Sequence, residues 1–255
     1  MNLMMKEIIR ITYKSMKRII QNLINFFGFK IIKIKKKNYR DFDQILKRIL
    51  KNNNNIIFDV GANKGQSLDR YRKIFKNTLF YSFEPSLEAF KVLKLKYENY
   101  STIKLFNIAL GSEKKKKFFY EYKNNELSSF IKINKKFDET KKKISVEIDT
   151  IDSIFKKNNL KKINLLKMDT QGYEEPILIG AKNLIAEQKI DLIELEIILG
   201  DYYEKFSSFK KIEDTLSSGG YRLLALDRRL NIFENKKFYF NALYASHNIY
   251  KKLFS

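Results

Sequence analysis

Cysteine is absent from this sequence of 255 residues, and histidine occurs once, as His247. The absence of cysteine excludes disulfides, thiolate metal sites and a cysteine nucleophile. A single histidine is too few for a multi-histidine metal site, and it disfavours a Ser-His-Asp triad. Nothing in the composition indicates an oxidising compartment, so we expect a cytoplasmic protein.

The length and the hydrophobic fraction, 44%, fit one ordinary globular domain with a full core. The sequence predicts an N-terminal appendage over residues 1–38, followed by one globular domain over residues 39–255. The oligomeric state is left open by the sequence.

The charge is strongly positive, with 51 Lys and Arg residues against 29 Asp and Glu residues, a net +22. Nine of those cations are arginine, and the lysines are scattered rather than gathered in one motif. Two readings stay open: a general bias toward lysine, and a preference for acidic partners. Because no RNA- or DNA-recognition motif occurs in the sequence, nucleic acid is not the expected partner.

Residues 1–38 show the periodicity of an amphipathic helix. The apolar positions, spaced by three and four residues, are Ile9, Tyr13, Met16, Ile20, Leu23 and Phe27. The longest uncharged run is too short to span a bilayer, and charges interrupt any signal-peptide pattern. This helix is expected to pack on the domain or on a partner, or to lie on the anionic inner surface of a membrane.

From about residue 40 onward, short apolar runs alternate with helical patterns. The predicted strands are Ile56–Val60, Leu79–Phe83, Ile103–Ala109, Ile163–Met168, Ile190–Ile197, Tyr221–Leu226 and Phe240–Ala245. The predicted helices are Ser67–Phe75, Leu87–Tyr97, Asp149–Asn158, 173–186 and Ser208–Ser218. This alternation predicts an α/β fold with a mostly parallel sheet, helices on both faces and a terminal antiparallel strand pair.

The stretch 114–147 interrupts that alternation with lysine blocks, a short aromatic run and a polar turn. It is predicted to be a hairpin-like insertion that leads into a strand over Ile144–Ile148. Because loops set specificity on folds of this kind, we expect the insertion to lie near the site that binds the substrate.

The strongest local signal is Phe58–Gly65, where a buried strand runs into a Gly-x-x-x-Gly turn and then a helix. Glycines let backbone amides approach a ligand, and the helix N-terminus favours negative charge. The acidic residue at the end of the strand, Asp59, disfavours a diphosphate and suits a ligand with an amino-acid end. The spacing matches neither the dinucleotide fingerprint nor a Walker A loop.

A second acid, Glu84, ends the next strand, at a position where a carboxylate can accept both hydroxyls of a ribose. One ligand with an amino-acid end and a nucleoside end accounts for both acids, and S-adenosylmethionine is such a molecule. A third acid, Asp169, follows the strand Ile163–Met168, so it should face the same crevice. Glu174 begins the next helix, where the helix dipole favours a carboxylate.

At several motifs in succession, the sequence resembles the FkbM-type methyltransferases. The matching segments are Phe58–Gly65, Ser82–Pro85, Asn107–Gly111, Thr150–Ser153, Leu166–Glu174, Leu178–Ala181, Ile193–Glu196 and Tyr202–Tyr203. The resemblance covers residues 40–247 and implies a seven-stranded Rossmann-like class I methyltransferase fold. It also implies O-methyl transfer, commonly onto hydroxyls of sugars or natural products.

The resemblance implies roles for individual residues as well. Those that would hold the methionine portion of the cofactor are Asp59, Gly61, Asn63 and Gly65; Glu84 would hold the ribose, and Asn107 and Ala109 would lie near the adenine. Asp169 would lie closest to the transferred methyl group. The N-terminal helix has no firm counterpart in the family.

An alcohol with a pKa of ~16 needs a base or a metal to become a nucleophile. Our hypothesis assigns Asp169 as the base, with Glu174 and Glu196 as helpers. A carboxylate cluster without histidine is compatible with Mg²⁺ bound at Asp169 and equally compatible with no metal.

The acceptor is expected to be a sugar, a nucleotide sugar or a lipid-linked glycan. Two other functions remain open at this point, an RNA methyltransferase and a non-catalytic binding protein at the membrane surface.

Overall fold

The computed structural model describes residues 41–51, 54–135, 140–200, 202–227, 231–232 and 238–254. These residues belong to a compact unit that spans Tyr39–Ser255. The predicted N-terminal helix, residues 1–38, lies outside the described residues, and the predicted domain boundary stays a prediction.

Helices and strands alternate along the chain. The first elements are α1 (Asp41–Ile49), β1 (Ile56–Val60), α2 (Gln66–Ile74), β2 (Leu79–Phe83), α3 (Leu87–Tyr97), β3 (Ile103–Phe106), β4 (Ala109–Leu110), β5 (Lys115–Tyr122), a 3₁₀ turn (Asn125–Leu127) and β6 (Thr140–Asp149). They continue as α4 (Ile151–Lys157), β7 (Ile163–Met168), α5 (Glu174–Ile179), α6 (Lys182–Ala186), β8 (Ile190–Leu199), α7 (Phe209–Ser218), β9 (Arg222–Leu226), β10 (Asn231–Ile232), β11 (Phe238–Ala245) and α8 (His247–Phe254).

The main sheet has the strand order β10-β11-β8-β7-β1-β2-β3, and β9 also pairs with β11. The strands β3, β2, β1, β7 and β8 run parallel to one another, whereas β11 is antiparallel to both β8 and β9. The predicted Rossmann-like, mostly parallel sheet with an antiparallel end is therefore confirmed. Among the described residues, the main sheet contains the seven predicted strands and one more, the two-residue strand β10 at its outer edge.

Helices cover both faces of the sheet, as predicted. Alternate strand residues point to opposite faces, so each face has its own apolar cluster. The helices α1, α2, α3 and α8 contribute to the cluster that contains Ile57, Leu165 and Leu192. The helices α4 to α7 contribute to the other cluster, which contains Phe58 and Leu166.

The third predicted strand is shorter than expected. β3 ends at Phe106, and Ala109 belongs instead to β4 in a second sheet with the order β4-β6-β5. The chain turns at Asn107, whose side-chain amide donates to the carbonyl oxygens of Glu84 and Pro85 at 2.9 and 3.2 Å. These bonds tie the turn to the end of β2, so the chain leaves the main sheet.

The stretch predicted as a hairpin-like insertion forms antiparallel pairing between β5 and β6. Its second strand, Thr140–Asp149, is longer than the predicted Ile144–Ile148. The inward side chains Phe119, Val146 and Ile148 belong to the main apolar cluster, which fixes the hairpin to the domain.

The helix predicted over residues 173–186 is two helices, α5 and α6. The interruption is at Gly180, where an added Cβ would overlap the carbonyl oxygen of Gly111. The carbonyl oxygen of Gly180 accepts a hydrogen bond from the backbone N–H of Asp152 at 3.0 Å rather than continuing the helix. A close tertiary contact therefore breaks the helix at this point.

Candidate functional site

The predicted site residues gather at one edge of the main sheet. β1 lies between β2 and β7, and Asp59 is in register with Ser82 on one side and Lys167 on the other. Because the strands are parallel, their carboxyl ends meet at the same edge. Asp59, the glycine turn, Glu84 and Asp169 therefore share that edge.

The turn after β1 is built from backbone conformations that favour glycine and asparagine. Gly61, Asn63 and Gly65 have φ values of 80°, 48° and 93°. A Cβ on Gly61 would overlap the carbonyl oxygen of Asp169, so only glycine lets the loop after β7 come this close. A Cβ on Gly65 would collide with Tyr97, so this glycine serves the packing of α2 against α3.

Asn63 connects the glycine turn to the end of β2. Its backbone N–H donates to Oε2 of Glu84 at 2.8 Å. Its side-chain Oδ1 is buried and, among the described residues, has no hydrogen-bond partner. A buried acceptor without a donor is costly, so this oxygen is a candidate to receive a donor from a ligand.

Glu84 is a buried carboxylate held at both oxygens. Oε1 accepts from the backbone N–H of Ser86 at 2.8 Å, and Oε2 accepts from Asn63. Burial raises the pKa of Glu84 to about 7 against these two hydrogen bonds, and the charges of Asp59 and Glu121 add to the rise. The group can therefore be neutral or ionised near physiological pH.

Asp59 is fully buried, and its carboxylate faces the protein. Oδ2 accepts a hydrogen bond from the hydroxyl of Ser67 in α2, and Oδ1 lies 3.4 Å from Nζ of Lys167. In this position Asp59 holds the start of α2 and orients the glycine turn.

Sequence reasoning missed a row of buried and partly buried charges that supports this edge. Lys167 is in register with Glu194 of β8, which pairs with Arg70 of α2 at 2.6 Å; Arg70 also pairs with Asp43 at 2.7 Å. Burial alone would lower the pKa of Lys167, but Asp169, Asp59 and Glu194 outweigh it and raise that pKa. The available signal in the sequence was Lys167 itself, a charged residue within a mostly apolar strand.

Asp169 is the accessible acid of the group, with a side chain 43% exposed. Oδ2 lies 3.4 Å from Nζ of Lys167, and Oδ1 accepts a hydrogen bond from the side-chain amide of Gln171 at 2.8 Å. The carboxylate is thus oriented from two sides while still reaching solvent. This is the arrangement that a base for an external substrate needs.

Glu174 and Glu196, predicted as helpers, are both buried. Glu174 accepts hydrogen bonds from the N–H and hydroxyl of Thr170 and from the N–H of Gly172, at 2.9 to 3.3 Å. Burial raises the pKa of Glu174, although the bonds from Thr170 oppose the shift. Glu174 therefore shapes the loop after β7, and Glu196 reaches Asp169 through Gln171.

The two residues predicted to lie near the adenine are placed differently from each other. The amide nitrogen of Asn107 is used within the protein, in the bonds that hold the end of β2. Ala109 is buried in the second sheet, paired with Ile148 rather than at the end of β3. The structure thus keeps Asn107 at the site edge and places Ala109 in the adjoining sheet.

His247 lies away from these acids. It begins α8, and its backbone N–H bonds to Gln188, which precedes β8, at 2.8 Å. That position is at the amino edge of the parallel strands, opposite to Asp169.

The metal prediction gains no support. Within the part of the chain that the structure describes, no group of three or more His, Asp or Glu side chains could hold a metal ion.

The segment 122–133 of the insertion, termed the cover segment, lies over the site edge. Glu126 accepts from the side-chain amide of Gln66, at the start of α2, at 3.3 Å. The hydroxyl of Ser129 donates to the carbonyl oxygens of Thr170 and Gln171, at 3.2 and 2.9 Å. The cover segment therefore touches both sides of the edge, the glycine turn and the loop after β7.

The acceptors at this edge suit S-adenosylmethionine. Asn63 Oδ1 and the carboxylate of Glu84 can receive an ammonium or hydroxyl hydrogen. The methyltransferase FkbM domain profile matches residues 59–223, which include the whole edge from Asp59 to Glu196.

The chain belongs to the FkbM methyltransferase family. The family resemblance predicted from the motifs is thereby confirmed. The predictions that the chain is an S-adenosylmethionine-dependent methyltransferase and that it has the class I fold are confirmed with it.

Several solved methyltransferases are similar to this FkbM chain at low identity. Precorrin-6y C5,15-methyltransferase from Geobacter metallireducens has 10% identity and a TM-score of 0.42, over 85% of this chain and 92% of that one. Fibrillarin from Aeropyrum pernix, with bound S-adenosylmethionine, has 12% identity and a TM-score of 0.43, over 79% and 73%. Because these scores are low, membership is assigned from the profile match and not from these likenesses. No curated protein matches the chain.

None of the helices that the structure describes has the length and apolar character needed to cross a bilayer.

Proposed function

We propose that this FkbM methyltransferase transfers a methyl group to a hydroxyl oxygen of a sugar, a glycan or a related small molecule. The observation that carries the proposal is the position of Asp169. It is an exposed carboxylate at the carboxyl end of β7, beside the glycine turn and held by Lys167 and Gln171. Hydroxyl acceptors need such a base, because alcohols at neutral pH are poor nucleophiles.

S-adenosylmethionine, when bound, would supply a methyl group on a sulfonium: the acceptor oxygen bonds to the methyl carbon as the carbon–sulfur bond breaks, and the sulfur leaves with that electron pair as a neutral thioether. Glu84 would accept the ribose hydroxyls, and the glycine turn with Asn63 would hold the methionine end. Asp169 accepts the proton that the acceptor hydroxyl loses. Lys167, 3.4 Å away, stabilises the ionised form of Asp169 before the proton arrives.

The other buried acids act through the protein rather than on the acceptor. Glu174 fixes the loop that carries Asp169, and Glu196 is linked to Asp169 by Gln171. In this proposal Asp169 itself accepts the proton, as a carboxylate oriented by Lys167 and Gln171.

The acceptor class follows from the insertion. The insertion presents exposed lysines, including Lys123 and Lys143, and the cover segment lies over the site edge. These cations favour an acceptor with an acidic group, such as a nucleotide sugar, an acidic glycan or a lipid-linked sugar. We place the protein in the cytoplasm, where contact with the inner membrane surface would bring it to lipid-linked acceptors.

Asp169→Asn tests the proposal, because asparagine keeps the shape but is not a base. Purified protein is given S-adenosylmethionine labelled in its methyl group, with a glycan and glycolipid extract in one arm and total RNA in another. We expect label in the glycan fraction, lowered by about 100-fold or more in the variant. Affinity for S-adenosylmethionine, measured by calorimetry, should stay within about threefold.

Asp214→Asn is the matched control, because Asp214 is an exposed acid of α7 paired with Lys210. It should transfer label at the rate of the unchanged protein. Unchanged turnover in Asp169→Asn would remove Asp169 from the mechanism. Label in RNA instead of glycan would contradict the proposed acceptor, and cofactor binding without transfer to either extract would favour a binding protein.

A further inference from the structure

A series of polar contacts connects the cover segment with Asp169 through one side chain, that of Gln171. The amide nitrogen of Gln171 donates to Oδ1 of Asp169 at 2.8 Å and to Oε2 of Glu196 at 2.9 Å. Its amide oxygen accepts from the hydroxyl of Tyr203 at 3.0 Å. Gln171 is 6% exposed, so these bonds are made out of water.

The bonds of Gln171 fix which end of its amide faces the acids. Both carboxylates are acceptors, so the NH₂ group must point to them and the oxygen must point to a donor. Tyr203 supplies that donor, and its hydroxyl also lies 3.1 Å from the carbonyl oxygen of Leu127 in the cover segment. The amide orientation is therefore set by a residue that contacts the cover segment.

The backbone of Gln171 is also held in place. Its φ is 56°, in the left-handed region, which costs about 1 kcal/mol or more for a residue with a side chain. Its carbonyl oxygen accepts from Ser129 of the cover segment at 2.9 Å. The backbone and the side chain of Gln171 are thus both held by the surrounding structure.

Among the described residues, the charged groups around Asp169 include Lys167 from β7, Asp59 from β1, Glu196 from β8 and Glu174 from α5. Repulsion from these acids and attraction to Lys167 would turn Asp169 toward the lysine if nothing held its other oxygen. The amide of Gln171 holds that oxygen and separates Asp169 from Glu196.

We propose that Gln171 is a positioning residue that fixes the direction of the Asp169 carboxylate and ties it to the seating of the cover segment. The inference rests on the proposed function of Asp169 as the base. It adds that the base is held in its working direction when Tyr203 and the cover segment are in place.

Gln171→Met tests this inference, because methionine has a similar size but no donor. The measurement is the rate of methyl transfer to the glycan extract together with calorimetric affinity for S-adenosylmethionine. We expect kcat to fall about tenfold or more, while the affinity for the cofactor stays within about twofold. Tyr203→Phe should lower kcat less, by about two- to fivefold, because it removes one contact of this series.

Gln188→Met is the matched control. Gln188 also has a φ of 56°, and its side chain bonds to Gly219 and to the backbone of His247 at the opposite edge of the sheet. If Gln171 had only a structural role, both variants would have a lower melting temperature and an unchanged kcat. Equal kcat in Gln171→Met and Gln188→Met would therefore overturn the inference.

A second measurement keeps the inference separate from the proposed function. Thermal melting is compared for Gln171→Met, Asp169→Ala and the double variant. Because Gln171 and Asp169 share a hydrogen bond, we expect the shift in melting temperature of the double variant to differ from the sum of the two single shifts by about 2 °C or more. Additive shifts would overturn the positioning role whatever the activity, whereas a full rate in Asp169→Asn would overturn only the proposed base.

Discussion

Glu84, the proposed ribose acceptor, carries a cost to the fold. Its carboxylate is buried near Asp59 and Glu121, and its pKa is raised to about 7. The folded-state pKa is above the ordinary value of 4.5, so ionising the group disfavours folding. The protonated carboxyl group therefore contributes stability that is fully present below pH ~4.5 and is lost as the pH rises through about 7.

The same shift predicts a pH dependence of cofactor binding. An ionised carboxylate is the stronger acceptor for ribose hydroxyls, so binding should draw Glu84 to its ionised form. Affinity for S-adenosylmethionine should therefore weaken below pH 7, by up to about tenfold per pH unit. Calorimetry between pH 5.5 and 7 checks this, a range in which the amino group of the cofactor stays protonated.

Glu84→Gln is the control for that titration, because glutamine does not ionise. Its weaker affinity should be nearly constant over the same pH range. An affinity of the unchanged protein that does not vary with pH would show that Glu84 is not the ribose acceptor or is already ionised.

At the scale of elements, Asp152 stabilises the short helix α6. Its carboxylate accepts from the backbone N–H groups of Asn183 and Leu184, at 3.1 and 3.2 Å, and its own N–H bonds to Gly180. These bonds satisfy donors at the start of a helix that has no cap of its own. A family motif, Thr150–Ser153, thereby meets another, Leu178–Ala181, in the structure.

Asp152→Ala should lower the free energy of unfolding by about 1 kcal/mol, the usual effect of losing a helix cap. Cofactor affinity should not change, because α6 lies on one face of the sheet and not at the site edge. Urea unfolding measures the first quantity, with Asp214→Ala as the exposed control. If Asp152→Ala unfolds at the same urea concentration as the control, the capping role is wrong.

Strands were easier to predict than helix ends, for a physical reason. A buried parallel strand is a short apolar run, so five central strands could be located, four of them nearly to the residue. The end of β3 and the break between α5 and α6 depend on contacts with Glu84 and Gly111, far away in the chain. The helices α1 and α8 are short, and their single apolar stripes were not assigned.

At the scale of the whole molecule, the site edge was predictable and its support was not. Parallel strands bring their carboxyl ends together, so Asp59, Glu84 and Asp169 could be placed on one edge from the sequence. The connections through Lys167 and Gln171 depend on register and on an insertion that folds back over the edge. Spacing along the chain does not encode these contacts.

The net charge of +22 is a property of the whole chain. Several hairpin lysines are engaged within the protein, such as Lys141 and Lys142 with Glu88 at 2.7 and 3.1 Å. Exposed pairs of this kind contribute little to stability and are weakened by salt. The excess of cations remains available to attract an acidic acceptor, as the proposed function requires.

The most direct test of the account is calorimetric titration of the full chain with S-adenosylmethionine, comparing Glu84→Ala with Glu98→Ala. Glu98 is an exposed acid at the other end of α3. The account predicts one site per chain, an affinity lowered at least about tenfold in Glu84→Ala, and no change in Glu98→Ala. Equal affinity in the two variants, or no binding by the unchanged chain, would contradict it.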